Sequence, residues 1–365
     1  MIYVHIPFCR RKCNYCAFNS KVSDTAEKIS YVEALIKEIN LRGDNSKVET
    51  IYFGGGTPTT LTLNQLEKII CALNKSFRVD ELAEITIEAN PGTVDEDYLR
   101  GLKVLGFNRL SLGVQSFDDE LLKILGRIHT SRAATETITL AKNFFANVSV
   151  DLMYGLPNQT LQNLRRDVDQ IKNLDVQHVS IYGLEVEEGT KFFELARAGK
   201  LNLPDENICA DMYDFITETL PTLGYSRYEI SNFAKKNFES RHNRGYWTGK
   251  KYFGFGTGAH SFDGKLRTSN VRDVATYIKN NVPIVEEVVT RQAAMEEFCF
   301  LGLRMTDGIS ARTFEKNFGE NIFDVFGAVI DKNVQRGLLK FDGDKIFLTA
   351  RGMSLGNEVF ADFLL

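Results

Sequence analysis

The fold of this chain is decided near its beginning, by the stretch Tyr3-Val4-His5-Ile6-Pro7-Phe8-Cys9-Arg10-Arg11-Lys12-Cys13-Asn14-Tyr15-Cys16. The first part of this stretch is short and apolar, which predicts a buried strand over residues 2–6. The second part places three cysteines at the spacing Cys-x3-Cys-x2-Cys. Clustered thiols indicate a metal centre rather than disulfides, so the first strand leads directly into a predicted metal site.

An alternation of strand and helix follows this stretch as far as about Gly183. Strand patterns occupy residues 49–53, 84–89, 109–114, 148–153 and 178–182, and helical patterns occupy residues 26–41, 64–74, 95–105, 131–145 and 161–173. Six strand–helix units in series predict an α/β fold whose parallel sheet forms a partial (β/α)6-type barrel. In such folds the chemistry lies at the carboxyl ends of the strands.

Glycines and polar residues follow the carboxyl ends of the predicted strands, at the edge of the sheet where the cysteines also lie. They include Gly54-Gly55-Gly56-Thr57-Pro58, Glu88, Gln115 and Asp151. Glycines let a ligand approach the backbone closely, and carboxylates there accept hydrogen bonds from hydroxyl or ammonium groups. Taken singly, the glycine run also suits a tight turn, and each carboxylate also suits a helix cap.

The remaining chain predicts two further segments. We expect a core barrel over residues 1–225, a loop-rich linking region over 226–290 and a small α+β domain over 291–365. The last segment combines three helical patterns with two short strands joined at Asp342-Gly343, which indicates a winged-helix-like domain. The isolated cysteines Cys71, Cys209 and Cys299 are expected to be buried.

The composition restricts the class of function. The chain has 365 residues, 43% of them hydrophobic and 25% charged, as in ordinary globular proteins. A net charge of −4 provides no general attraction to nucleic acid. The apolar run over residues 1–8 is too short for a transmembrane helix and lacks the features of a signal peptide. A cytoplasmic location is therefore expected, and peripheral membrane contact is left open.

The cysteine spacing allows two kinds of metal centre. Three thiolates on one short loop can bind three irons of a cubane [4Fe–4S] cluster and leave the fourth iron open to a small molecule. A structural zinc ion needs four ligands, for which His5 is the local fourth candidate. Arg10, Arg11 and Lys12 would stabilise thiolates or form a docking surface for an electron donor such as flavodoxin or ferredoxin.

The stretch from Tyr3 to Cys9, with Cys13, Tyr15 and Cys16, resembles the radical S-adenosylmethionine (SAM) branch that contains oxygen-independent coproporphyrinogen III oxidase. This resemblance covers essentially the whole chain and implies a [4Fe–4S] cluster on the three cysteines. It also implies that a set of residues contacts SAM. That set is Tyr3, Tyr15, Gly55, Gly56, Thr57, Glu88, Gln115, Arg127 and Asp151.

Two features distinguish this chain within that branch. Phe18 stands where the oxidase pattern has a further cysteine. The stretch Arg241-His242-Asn243-Arg244-Gly245-Tyr246-Trp247 matches the His-Asn-x-x-Tyr-Trp motif of HemW-type haem chaperones. His242 suits iron ligation, Tyr246 suits ligation or hydrogen bonding, and Trp247 suits stacking on the macrocycle. Without the resemblance, the same segment suits a loop that covers the barrel mouth.

The resemblance therefore implies a haem chaperone that binds haem as cargo and transfers it to an acceptor protein. His260 is a second candidate haem ligand. Three alternatives remain: the oxidase reaction, haem degradation by a radical SAM methyltransferase and a zinc-stabilised binding module. The sequence leaves open whether SAM is cleaved and whether one or two SAM molecules bind.

Overall fold

A computed structural model describes residues 1–280 and 282–364 of the protein. The strands of the first half are β1 (Ile2–Ile6), β2 (Phe8–Cys9), β3 (Lys21–Val22), β4 (Lys47–Gly55), β5 (Arg78–Ala89), β6 (Arg109–Gln115), β7 (Asn147–Tyr154) and β8 (His178–Gly183). Those of the second half are β9 (Ser226–Arg227), β10 (Asn232–Ala234), β11 (Phe253–Phe255), β12 (His260–Phe262), β13 (Leu266–Ser269), β14 (Ile284–Val288), β15 (Ile309–Ser310), β16 (Leu339–Asp342) and β17 (Lys345–Leu348).

The helices are numbered in the same way. Those of the first half are α1 (Thr25–Arg42), α2 (Leu63–Ser76), α3 (Glu96–Val104), α4 (Asp119–Leu125), α5 (Ser131–Ala141), α6 (Leu161–Leu174) and α7 (Lys191–Arg197). Those of the second half are α8 (Glu206–Thr222), α9 (Arg241–Trp247), α10 (Val274–Lys279), α11 (Arg291–Gly302), α12 (Ala311–Phe318), α13 (Ile322–Gln335), α14 (Ala350–Ser354) and α15 (Gly356–Asp362). No helix of the described ranges is long and apolar enough to cross a membrane.

The central sheet has nine strands in the order β11-β1-β4-β5-β6-β7-β8-β10-β9. The six predicted strands pair in parallel in chain order, from β1 to β8. The apolar residues of these strands, such as Leu110, Leu112 and Val150, are buried in the main core together with those of the surrounding helices. The predicted α/β fold with a wound parallel sheet is confirmed.

Local sequence signals explain where the main helices begin. Asp24 accepts a hydrogen bond from the backbone N–H of Glu27 and so caps α1. Thr62 and Gln65 form a capping box at the start of α2. One apolar face of α1 packs into the core, where Val32 and Leu35 are buried.

The middle segment differs from the predicted loop-rich region. Its strands β9, β10 and β11 join the central sheet, and β11 pairs in parallel with β1. The segment around His242 is the helix α9 rather than a loop, because Ser240 caps it by accepting from the N–H of Asn243. Strands from both sides of residue 225 share one sheet. A domain boundary at residue 225 stays a prediction.

The C-terminal segment contains five helices, α11 to α15, in its described residues, and a small antiparallel sheet in the order β15-β17-β16. Its own core contains Phe314, Phe326 and Ile346. The predicted hairpin is present, with Gly343 in the left-handed region at φ +60°.

The three isolated cysteines do not share one environment. Cys299 is buried as expected, Cys209 is partly exposed, and Cys71 is exposed on α2, contrary to the expectation. Cys71 is exposed because it lies on the face of α2 opposite its buried residues, which are Leu66, Ile69, Ile70, Ala72 and Leu73.

A buried carboxylate joins α1 to the second half of the chain. Glu38 accepts hydrogen bonds from Tyr277 Oη at 2.6 Å, Asn270 Nδ2 at 2.8 Å and the Gly256 N–H at 3.0 Å. Its other partner is Arg42, at 2.5 Å. These bonds connect the segment that follows β11 to the helix α1.

We predict that Glu38→Ala lowers the free energy of unfolding by about 2–4 kcal/mol, because it leaves buried donors without an acceptor. Equilibrium denaturation with urea measures the change. The matched control is Glu33→Ala on the exposed face of the same helix, which should change stability by less than about 0.5 kcal/mol. Equal losses for the two variants would contradict the assigned role of Glu38.

Candidate functional site

A cavity of about 380 Å³ lies at the carboxyl ends of the parallel strands. The end of the barrel that holds it is the one predicted from the positions of glycines and polar residues. All three clustered cysteines line it, together with eight of the nine residues predicted to contact SAM. Those eight are Tyr15, Gly55, Gly56, Thr57, Glu88, Gln115, Arg127 and Asp151.

The cysteine loop is anchored to the ends of several elements. Asn14 donates from its backbone N–H to Leu125 O at 2.9 Å and from its side chain to Ile124 O at 2.8 Å. The N–H of Phe192 in turn donates to Asn14 O at 2.9 Å. The middle of the loop is therefore held between α4 and α7, with Cys13 and Cys16 on either side of the anchor.

The three thiols are free and partly exposed, and none forms a disulfide. Thr57 Oγ1 lies 3.7 Å from Cys9 Sγ, and Arg127 donates to Cys13 Sγ at 3.4 Å. Burial raises the pKa of the Cys9 and Cys16 thiols, and a bound metal centre would favour their thiolates. Three thiol donors with a guanidinium beside them suit an iron–sulfur cluster.

His5 is already committed to other partners. Its Nδ1 lies 3.0 Å from Tyr3 Oη, and its Nε2 lies 2.8 Å from Asn19 O. Both ring nitrogens are therefore engaged, and the fourth ligand that a zinc site would take from His5 is not available in this arrangement.

The glycine run brings β4 against the cysteine loop. A Cβ atom on Gly55 would lie 2.5 Å from the His5 ring, and one on Gly56 would lie 2.8 Å from Phe8 O. Gly55 also has φ +110°, which side-chain-bearing residues rarely adopt. The run is required by this close approach, and its backbone forms part of the cavity wall.

Two carboxylates project from the strand ends into the cavity. Glu88 accepts from Tyr52 Oη at 2.7 Å, and Ser111 Oγ lies 3.3 Å from both carboxylate oxygens of Asp151. Burial raises the pKa of Asp151, and burial together with the nearby Asp151 raises the pKa of Glu88 to about 7. A cationic ligand in the cavity would therefore stabilise the charged form of these carboxylates.

Two arginines complete the charged lining. Arg127 donates to Asn90 Oδ1 and to Gly113 O, which holds it beside Cys13. Arg109 is almost fully buried, 2% exposed. The Nε atoms of Arg109 and Arg127 have no hydrogen-bond partner within the described residues. Cationic groups with spare donors suit the carboxylate of an amino-acid ligand.

A distortion of β6 aims Gln115 at the cavity. Its register with β7 shifts between Gly113 and Gln115, and Gln115 has φ +72°, in the left-handed region. Such bulges redirect side chains near functional sites at a cost in local strain.

Tyr3 does not line this cavity with the other predicted SAM contacts. It lies on β1 with its hydroxyl on His5, and it lines a second cavity instead. Tyr15 is on the cavity wall, where its ring centroid lies 6.5 Å from that of Phe192.

The predicted haem segment lies on the helix α9. His242 is 1% exposed; its Nδ1 lies 2.8 Å from Thr50 Oγ1, and its Nε2 lies 3.1 Å from Tyr246 Oη. Burial lowers the pKa of His242 to about 3, and its ring stacks on that of Tyr52 at 5.2 Å. Haem ligation by His242 stays a prediction and would require one of these bonds to break.

Trp247 contacts the C-terminal segment. The guanidinium carbon of Arg304 lies 4.4 Å from the centroid of its ring. One face of the Trp247 ring therefore already has a cationic partner. Stacking of Trp247 on a haem macrocycle stays a prediction.

Sequence reasoning missed several polar residues that the strands direct inward. The signal was a period of two in otherwise apolar strands, because alternate residues of a strand share one face. The missed residues are Arg109 and Ser111 on β6, in the same alternation as the predicted Gln115, and Ser180 and Tyr182 on β8.

Family models match two parts of the chain. The radical SAM superfamily model matches residues 3–171, and the HemN C-terminal domain model matches residues 289–355. The fold is also similar to that of coproporphyrinogen III oxidase (HemN) from Escherichia coli, with a TM-score of 0.88 and 25% identity. That match covers 99% of this chain and 89% of the other.

Relatives of similar length share substantial sequence identity. The heme chaperone HemW of Bacillus subtilis is 40% identical over 372 residues, which cover 99% of this chain and 98% of the relative. The heme chaperone HemW of Lactococcus lactis is 39% identical, over 100% of this chain and 97% of the relative. With its cysteine loop and cavity at the strand ends, the chain belongs to the HemW family of haem chaperones within the radical SAM superfamily.

Proposed function

We propose that this protein binds a [4Fe–4S] cluster through Cys9, Cys13 and Cys16 and binds SAM in the adjoining cavity. The observation that carries the proposal is the convergence of the three thiols with eight predicted SAM contacts around one cavity. These residues come from six separate segments of the chain, between Cys9 and Asp151. When bound, such a cluster can supply an electron to SAM.

The chain's own residues explain how SAM would be oriented. Arg127, held beside Cys13, is placed to pair with the methionyl carboxylate. The backbone at Gly55 and Gly56 offers peptide groups to the ammonium group. Glu88 and Asp151 offer acceptors to cationic or hydroxyl groups.

We further propose that the protein binds haem and transfers it to an acceptor protein in the cytoplasm. Support comes from relatives named heme chaperones that match nearly the whole chain. Phe18 provides a second argument, since it replaces the further cysteine of the oxidase pattern and is 69% exposed at the cavity. Haem transfer requires an acceptor protein. The basic residues of the cysteine loop, Arg10, Arg11 and Lys12, suit the docking of an electron donor such as flavodoxin or ferredoxin.

The cluster proposal is tested by replacing the cysteines. Cys9→Ala, Cys13→Ala and Cys16→Ala should each remove most iron and acid-labile sulfide after anaerobic reconstitution, because two thiolates hold a cubane poorly. The matched control is Cys71→Ala, which removes an exposed thiol far from the loop in sequence and should retain wild-type iron. Similar iron losses in all four variants would contradict the assignment.

The raised pKa of Glu88 predicts how SAM binding depends on pH. Below about pH 7 the carboxyl is protonated and neutral, and above it the carboxylate attracts the sulfonium cation. The Kd for SAM should therefore be up to about tenfold higher at pH 6 than at pH 8. Equilibrium dialysis under anaerobic conditions measures it.

Two variants control this pH dependence. Glu88→Gln should flatten it, because the amide does not titrate in this range. Glu185→Gln removes an exposed carboxylate outside the cavity wall and should keep it. A wild-type Kd that stays constant between pH 6 and pH 8 would show that Glu88 makes no charged contact with SAM.

The chaperone proposal is separated from the enzyme alternatives by the fate of the tetrapyrrole. The reconstituted protein should bind about one ferric haem per chain, and the haem should stay intact after SAM and reductant are added. Absorbance spectroscopy and chromatography of the extracted pigment measure both. A vinyl-bearing product from coproporphyrinogen III would support the oxidase, and loss of the Soret band with iron release would support haem degradation.

A further inference from the structure

A second and larger cavity, of about 860 Å³, adjoins the first. It lies between β1, α9 and the small sheet of β12, β13 and β14. The residues Ala17 and Phe18, which directly follow Cys16, line both cavities. Its volume falls within the range of about 300–1,000 Å³ that is usual for small-molecule sites.

The histidines of the chain divide sharply by environment. All five lie in the described residues, and four of them are buried: His5, His129, His178 and His242. Each of these four has at least one ring nitrogen bonded within the protein. The partners are Tyr3 and Asn19 for His5, Val114 for His129, Ser149 and Tyr228 for His178, and Thr50 and Tyr246 for His242.

His260 is the exposed histidine, and it lines the second cavity. It begins β12, where its backbone pairs with Ser269. Within the described residues, no hydrogen bond or ion pair involves the ring of His260. An imidazole with free nitrogens at a cavity wall is available to ligate iron.

Several other lining residues suit a flat apolar ligand that carries anionic groups. Phe18 is 69% exposed and Ile284 is 53% exposed, so both present apolar surface that a macrocycle would cover. Tyr252 adds an aromatic side chain. The guanidinium of Arg272 is exposed and forms no ion pair within the described residues. The acidic side chain of the lining, Glu286, already accepts from Ser269.

We propose that this second cavity is the haem-docking site, with His260 as an axial ligand to the iron and Arg272 paired with a propionate. The inference rests on the proposed haem-chaperone function and specifies where the cargo lies. The haem would then be separated from the cluster cavity by Ala17 and Phe18. The partly buried Tyr246 also lines this cavity, so α9 supports the site through Tyr246 while His242 stays beneath it.

The test is an anaerobic titration of the cluster-reconstituted full-length protein with ferric haem. His260→Ala should raise the Kd at least about tenfold and remove the spectrum of an imidazole-ligated haem. Free imidazole should restore that spectrum. Far-UV circular dichroism and the cluster absorbance should match the wild type, because His260 is exposed.

A pair of cation variants tests the propionate contact. Arg272→Gln should raise the Kd about fivefold, the size expected of one charge-assisted contact. The matched control is Lys265→Gln, which removes a cation next to the same sheet but outside the cavity wall and should keep the wild-type Kd.

The outcomes separate this inference from the function on which it rests. Wild-type protein that binds no haem would overturn both. Stoichiometric binding with an unchanged spectrum in His260→Ala would overturn the His260 assignment alone, as would a spectrum that is lost in His242→Ala but kept in His260→Ala. Loss in His260→Ala with recovery by imidazole supports the proposed site.

Discussion

Two backbone hydrogen bonds hold the cysteine loop on the barrel, and the whole site depends on them. The N–H of Gly56 donates to Ile6 O, and the N–H of Thr57 donates to Phe8 O, both at 2.8 Å. They extend the parallel pairing of β1 with β4 beyond the end of the sheet, so the loop leaves the barrel directly above its interior. Side chains on Gly55 and Gly56 would prevent this approach, which is why the glycine run and the cysteine loop belong to one structural unit.

The barrel interior carries more charge than an ordinary protein core. Glu88, Asp151, Arg109 and Arg127 all lie in the wall of one cavity, although isolated buried charges are costly. Their protein partners offset part of this cost, as Tyr52 does for Glu88. The raised pKa values of the two carboxyls show that the compensation is incomplete. A ligand with both a cationic and an anionic group would complete it, and SAM has both.

The helix α9 connects the barrel to the surfaces that surround it. Glu84 on β5 accepts from the backbone N–H groups of Arg241 and His242, which fixes the start of the helix. His242 then contacts the barrel strand β4, and Trp247 contacts Arg304 near the end of α11. His242, the histidine of the motif that marks this family in the sequence, is therefore buried, while the exposed imidazole comes from β12. A haem bound beside Phe18 would share a chain segment with the cluster loop.

The sequence by itself determined the six strands of the parallel sheet and the end of the barrel at which the glycines, the polar residues and the three cysteines meet. It could do so because apolar periodicity and thiol spacing are local properties of the chain. It placed His242 in a loop, whereas the residue lies on the helix α9, and the SAM contact of Tyr3 stays a prediction. Only the tertiary structure decided which histidine faces an open cavity. The reason is that burial depends on distant elements: Thr50 and Tyr52 cover His242, whereas no side chain of the described residues bonds the ring of His260.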